Sequence, residues 1–137
     1  MLIPAAAAAA IVALIIGIST GGHGQRFASI HLRGTAFAPQ ASATLEILPA
    51  KAGKQPMRLT ETGLPKLQQG SRYVVYLVRN GRTDGSCGSF VVTDPAHGLT
   101  VRNLDSPYRL KSGDTWIVKE EGAALAHGVT VLEPATA

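Results

Sequence analysis

Tyr73-Val74-Val75-Tyr76-Leu77-Val78 is almost continuously apolar, and Arg79-Asn80-Gly81-Arg82 follows it directly. Such a run is short for a helix, and its β-branched and aromatic side chains favour a strand. It reads as a central strand buried on both faces. Asn-Gly is the strongest short-range hairpin signal, because both residues tolerate the positive φ of a type I′ turn. Residues 86–93, Ser-Cys-Gly-Ser-Phe-Val-Val-Thr, then read as the antiparallel partner.

Working outward from this hairpin, the pattern keeps a period of two, broken by turn residues every eight to twelve positions. Phe27, Ile30, Leu32 and Ala36 mark a first loose strand, and residues 41–48 alternate cleanly up to Pro49. Met57, Leu59 and Glu61 mark a third strand, stopped by Gly63-Leu64-Pro65. Residues 99–104, 115–120 and 129–133 supply three more. Apart from a short turn at 122–127, nothing in this region keeps a period of 3.6. About eight strands and almost no helix predict an all-β fold, an Ig-like antiparallel β-sandwich of seven to eight strands. Closure into a barrel is the alternative.

The chain has 137 residues, 45% of them hydrophobic, but that average joins two unlike parts. Residues 1–18 are apolar except for Pro4 and Gly17, and every charged side chain lies at or beyond Arg26. As a helix, 18 residues span ~27 Å, close to the ~30 Å of a bilayer core. Leu2, Ile3, Ile11, Val12, Leu14, Ile15, Ile16 and Ile18 favour insertion by roughly 2–5 kcal/mol. Three parts are therefore expected: a transmembrane helix or uncleaved signal anchor at 1–19, a Gly-rich linker at 20–25, and the β-sandwich domain at 26–137. A signal peptide cleaved near Gly17-Ile18-Ser19 is the competing reading, although the basic start of such a peptide is missing. The span begins at Met1 with no polar flank, which reads as a shortened form of a chain with a basic stretch and a cytoplasmic domain upstream. The nearest basic residues, Arg26 and Arg33, follow the span and by themselves weakly favour a cytoplasmic domain after it.

The net charge of +4 invites a nucleic-acid reading. The basic residues are interleaved with acids, and the concentration at Lys51, Lys54 and Arg58 is broken by Gly and Pro, as in a solvated loop. No nucleic-acid partner is expected. Cys87 is the only cysteine, which excludes an internal disulfide and a multi-cysteine zinc site, and it reads as a small packing residue. His23, His31, His97 and His127 show no metal-ligand spacing. A blue-copper site needs a histidine and then a methionine soon after the cysteine, whereas His97 lies ten residues on and no methionine follows. Ser86, Ser89 and Ser112 lack a nucleophile-elbow setting, and Glu120-Glu121 reads as a solvated strand end. Tyr73, Tyr76, Phe90, Tyr108 and Trp116 read as core. No catalytic, cofactor-binding or metal-binding residue is assigned, and no enzyme activity is expected.

Between Gly63 and Glu120 several motifs fall together: Gly63-Leu64-Pro65, Gly70 followed by Tyr73 and by Tyr76-Leu77-Val78, Asn80-Gly81, and Cys87-Gly88 with Phe90. Val101, Ser106-Pro107-Tyr108-Arg109-Leu110 and Thr115-Trp116-Ile117-Val118 continue them. This combination resembles the C-terminal domain of the anti-sigma-K factor family, in the variant found in actinobacterial anti-sigma-like membrane proteins. The likeness covers about half the chain strongly, and nearly all of 41–132 more weakly. The alanine-rich span before the domain also resembles the family's membrane helix. The resemblance implies a single-pass membrane protein whose β-sandwich lies outside the cytoplasm and influences the regulated proteolysis that frees a sigma factor. Its partners would be the lipid bilayer, through residues 1–19, and a membrane protease or envelope protein. The family's sigma-binding helical domain and its motif of one histidine and two cysteines are absent, so no direct sigma-factor contact is expected from this chain. Tyr76 stands where the family often has tryptophan.

Overall fold

The computed structural model describes residues 28–122 and 125–135, and residues 1–27, with the whole apolar segment, lie outside them. The elements are β1 (Ala28–Gly34), β2 (Ser42–Ile47), β3 (Gln55–Thr62), β4 (Arg72–Arg79), β5 (Arg82–Phe90), β6 (Leu99–Ser106), β7 (Thr115–Gly122) and β8 (Leu125–Pro134). All are strands, and every pairing between them is antiparallel. The all-β expectation therefore holds. The 122–127 turn does not, because β8 already begins at Leu125 and Leu125 pairs with Gly122.

Where two sheets are expected, the strands form one hydrogen-bonded sheet in the order β5-β4-β7-β8-β1-β2-β3-β6. The reason lies in β8, which has a neighbour on each side. It pairs with β7 along its first part, and at Leu132 it reaches both Val118 on β7 and Gly34 on β1. The β1–β8 joint is narrow, just Leu32↔Pro134, Arg33↔Glu133 and Gly34↔Leu132. Thr35 reinforces it by donating its N–H to the Val131 carbonyl (2.9 Å) and its hydroxyl to the Thr130 carbonyl (2.7 Å). Two four-stranded halves thus share one core, hinged at this joint. At the far side β5 and β6 lie against each other without a ladder, which leaves the sheet one seam short of a closed barrel. Gly88 lies at that approach, where a Cβ on it would stand 2.6 Å from Leu104 Cδ2 and the leucine side chain would have to shift.

Cross-strand rows show why these residues pair in this register. Ile30, Leu45, Leu59 and Val101 face one another in turn across β1, β2, β3 and β6. Val75, Val118 and Leu132 do the same across β4, β7 and β8. All belong to one buried cluster, and each large aliphatic side chain contributes about 1.5–3 kcal/mol by leaving water. A slip by one residue would turn these rows to solvent. In β4, Tyr73, Val75 and Leu77 enter the core and Val74 is buried as well, while Tyr76 and Val78 are half-covered. Complete burial of both faces is thus met on one face only.

Glu61 is a charged residue in the core, 1% exposed on β3. Its Oε1 accepts the Leu64 N–H at 3.2 Å, so the carboxylate ties the end of β3 to the Gly63-Leu64-Pro65 turn. Burial pushes its pKa up, against the backbone N–H groups of Leu64 and Leu99. The same turn is held from the other side by Tyr73, whose hydroxyl donates to the Pro65 carbonyl at 2.5 Å.

Candidate functional site

Antiparallel order gathers particular connections at one end of the barrel. That end carries the first residue of β1 (Ala28), the β2–β3 connection (48–54), the β4–β5 turn at Asn80-Gly81 and the β6–β7 connection (107–114). The opposite end carries 35–41, 63–71, 91–98 and the β7–β8 turn.

The first end is organised around Arg79, the last residue of β4. Its Nε donates to Asp114 Oδ1 at 2.8 Å and its Nη2 to Asp114 Oδ2 at 2.9 Å, a bidentate fork. Nη2 also reaches the Arg109 carbonyl at 3.0 Å, and Asp84 stands 4.0 Å from Nη1. Asp114 in turn accepts the Lys111 N–H at 2.7 Å, which closes the 111–114 turn. Burial alone would raise the pKa of Asp114, but Arg79, the Lys111 N–H and the surrounding positive charge hold it below the ordinary carboxylate range. Arg79 also lies over the Tyr108 ring, 5.8 Å from its centroid. Its Nε and Nη2 donors are thus committed to the fold, and it latches the β4–β5 hairpin to the 107–114 connection.

Around this latch stand exposed cations. Arg82 opens β5, Arg109 and Lys111 sit on the 107–114 connection, and Lys51 and Lys54 pair across Ala52-Gly53 by two backbone hydrogen bonds of 2.9 Å. Asn80 (φ 54°) and Gly81 (φ 75°) form the type I′ turn foreseen from the Asn-Gly pair. Arg79, Asn80, Arg82, Thr83 and Asp84 line an open hollow of about 370 Å³. The chemistry on offer is positive charge and hydrogen-bond donors for an anion.

Other residues weighed from sequence are dispersed. His31 is exposed on β1, with Nδ1 3.3 Å from the Thr44 hydroxyl. His97 is an exposed turn residue 2.8 Å from Asp94, at the opposite end. His23 and the side chain of His127 lie outside the described residues. Ser86, Ser89 and Ser112 are exposed, and Ser86 accepts the Gly88 N–H at 3.3 Å. Glu121 accepts a hydrogen bond from Tyr76, whose pKa is pushed up to about 12 by that bond and by burial. Among the described residues no group of three His, Cys, Asp or Glu side chains is placed to hold a metal. Cys87 is 4% exposed, and burial pushes its thiol up to about 11. Such a thiol carries almost no thiolate at neutral pH and reacts slowly.

Two expectations are corrected. Tyr108, read as core, is 46% exposed at the basic end, because the chain leaves β6 at Ser106 and turns there. Arg58, read as part of a solvated loop, lies in β3 and pairs with Glu46 on β2 at 2.6 Å. The Arg79–Asp114 fork is invisible in the sequence because the partners are 35 residues apart. Its only signal would have been the pairing of β4 with β7, which brings Val78 beside Thr115.

No protein-family model, curated protein or solved structure matches the chain. The motifs behind the anti-sigma-K resemblance occupy structural positions: Leu64, Tyr73, Leu77, Phe90, Val101 and Trp116 are core, and Asn80-Gly81 is a turn. No helix among the described residues is long and apolar enough to cross a membrane.

Proposed function

We propose that this chain is a membrane-anchored, extracytoplasmic β-domain of the anti-sigma-K type, a non-catalytic regulatory module in sigma-factor-linked transcription control. The observation that carries the reading is the join of an apolar segment, residues 1–18, broken only by Pro4 and Gly17, to an eight-stranded antiparallel domain, with no charged residue before Arg26. In this reading the two four-stranded halves are the layers of an Ig-like sandwich that stay joined through β8. The exposed loops and the β5–β6 seam are the surfaces offered to a membrane protease or an envelope protein. The alternative is an envelope or secreted structural domain released by signal peptidase.

Placement of the domain is tested with a Ser112→Cys variant in intact bacterial cells and a membrane-impermeant maleimide. Ser112 is exposed, and the native Cys87 is buried with a raised pKa, so the engineered thiol dominates the labelling. Labelling of intact cells is expected. Labelling that appears only after lysis would refute the outside placement.

A further inference from the structure

The charges of the domain are divided between its ends. Lys51, Lys54, Arg82, Arg109 and Lys111 are exposed at the end that carries Ala28. The acids there are Asp84 and Asp114, both beside Arg79, and the half-buried Asp105; Glu46 is paired with Arg58. The opposite half has no basic excess, with Arg33, Lys66, Arg72 and Lys119 against Asp94, Glu120, Glu121, Glu133 and the buried Glu61. Arg102 stands midway along β6. The hollow beside Arg79 and Arg82 opens on the basic end, and Tyr108 is exposed there, an aromatic type favoured at membrane–water interfaces.

Chain length says what this end meets. Nine residues, 19–27, separate the apolar segment from β1, and nine residues reach at most ~30 Å. Ala28, at the basic end, is therefore held within that distance of the point where a membrane-inserted segment 1–18 leaves the bilayer. The opposite end is a strand length from Ala28, so the tether alone allows several orientations and the charge distribution selects among them.

We propose that the basic end docks the domain onto the surface of an anionic bilayer, with Lys51, Lys54, Arg82, Arg109 and Lys111 meeting lipid phosphates. The docking rests on the membrane-anchored reading above and adds an orientation to it. The β4–β5 turn and the 107–114 connection face the lipid, while the 63–71 and 91–98 loops face outward, where a partner reaches them. Each basic side chain at an anionic surface contributes roughly a fivefold preference for the docked state. Salt or loss of anionic lipid undocks the domain without releasing its anchor.

The test uses the full chain reconstituted into vesicles of phosphatidylcholine, or of phosphatidylcholine and phosphatidylglycerol in equal parts. Ser112→Cys at the basic end and Gln69→Cys at the other end carry a fluorophore in separate preparations, and energy transfer to a headgroup-labelled lipid is measured. Transfer from position 112 is expected to rise in the anionic vesicles well above that in neutral ones, and above that from position 69. At 1 M salt, where the screening length is ~3 Å, the rise disappears. The quadruple variant Lys51→Gln, Lys54→Gln, Arg82→Gln, Arg109→Gln lowers the docked-to-free ratio on the order of 10²-fold. The salt arm leaves the chain unaltered, so it reads the same electrostatics with no change in folding. A chain that floats with both vesicle types and shows equal transfer from position 112 in each overturns the docking and leaves the anchor standing. A chain that floats only with anionic vesicles supports docking and overturns the anchor. A chain that floats with neither overturns both.

Discussion

Replacing Trp116 with alanine lowers the unfolding free energy by about 3–5 kcal/mol, the range for deletion of a buried large aromatic. Trp116 is 1% exposed on β7, opposite Leu77 on β4, in the middle of the half formed by β5, β4, β7 and β8. Among the described residues no helix lies behind those strands to settle into the space, so most of the cavity would persist. Its indole N–H is buried and meets no strong acceptor, only the weakly accepting Cys87 thiol, which makes the outcome for phenylalanine different. Trp116→Phe retains most of the apolar contact and removes a buried donor that is only weakly satisfied, so its loss is expected to stay below about 1.5 kcal/mol. Trp116 is the only tryptophan, so urea unfolding of the variants is followed by far-ultraviolet circular dichroism. Equal losses for alanine and phenylalanine would contradict this account of the site.

Gly34→Ala is expected to cost on the order of 3 kcal/mol, at the upper end for added volume in a packed site. A Cβ on Gly34 would stand 1.8 Å from the Ala38 carbonyl oxygen and 3.0 Å from that of Ala41. Both are backbone atoms, so no side chain can rotate out of the way. Gly34 also donates its N–H to the Ala41 carbonyl at 2.8 Å and pairs with Leu132, so the turn 35–41 cannot move off without disturbing the β1–β8 joint. Because that joint is narrow, the variant is expected to loosen the link between the two halves of the sheet. Hydrogen exchange should show the largest loss of protection at Thr35 and in β8. An alanine variant with unchanged stability would mean that the 35–41 turn yields freely. Against the ~5–15 kcal/mol typical of a domain, either substitution removes a large fraction of the total.

The strands were readable because each has one face in the core and the alternation survives along it. Residues 73–78, 99–104 and 115–120 fall on strands, 41–48 overruns β2 by one residue at each end, and Asn80-Gly81 marked its hairpin before any register was known. Two strands were displaced for identifiable reasons. β5 begins at Arg82 instead of Ser86, because its first residues are polar and glycine-containing and pair by backbone alone, across two register shifts. β8 begins at Leu125 instead of Val129, because the alanines and glycine around His127 carry no alternation. The architecture was hidden at the other end of β8, where nothing in the pattern says that the strand has two partners. Val129, Thr130 and Leu132 pair with β7 while Leu132, Glu133 and Pro134 pair with β1, so one strand serves both halves and turns two expected layers into one sheet.

The basic end was legible only in fragments. Lys51 and Lys54 stood out as a local concentration, but Arg82, Arg109 and Lys111 are distant in sequence and each looks like an ordinary surface charge. Antiparallel topology brings them to one end, and Arg79 fixes the loops that carry them. Tyr108 was misread for the same reason: its neighbours alternate like a strand, but the chain has already left β6. The fate of the apolar segment is a matter of sequence alone, since residues 1–27 lie outside the described part of the fold.

The intact mass of the chain recovered from a bacterial membrane fraction, expressed from Met1, tests the central claim most directly. A membrane-anchored module keeps residues 1–18, resists extraction by alkaline carbonate and has the mass of the uncleaved chain. A carbonate-soluble or secreted product shorter by roughly 20 residues, the length of a cleaved signal peptide, would contradict it.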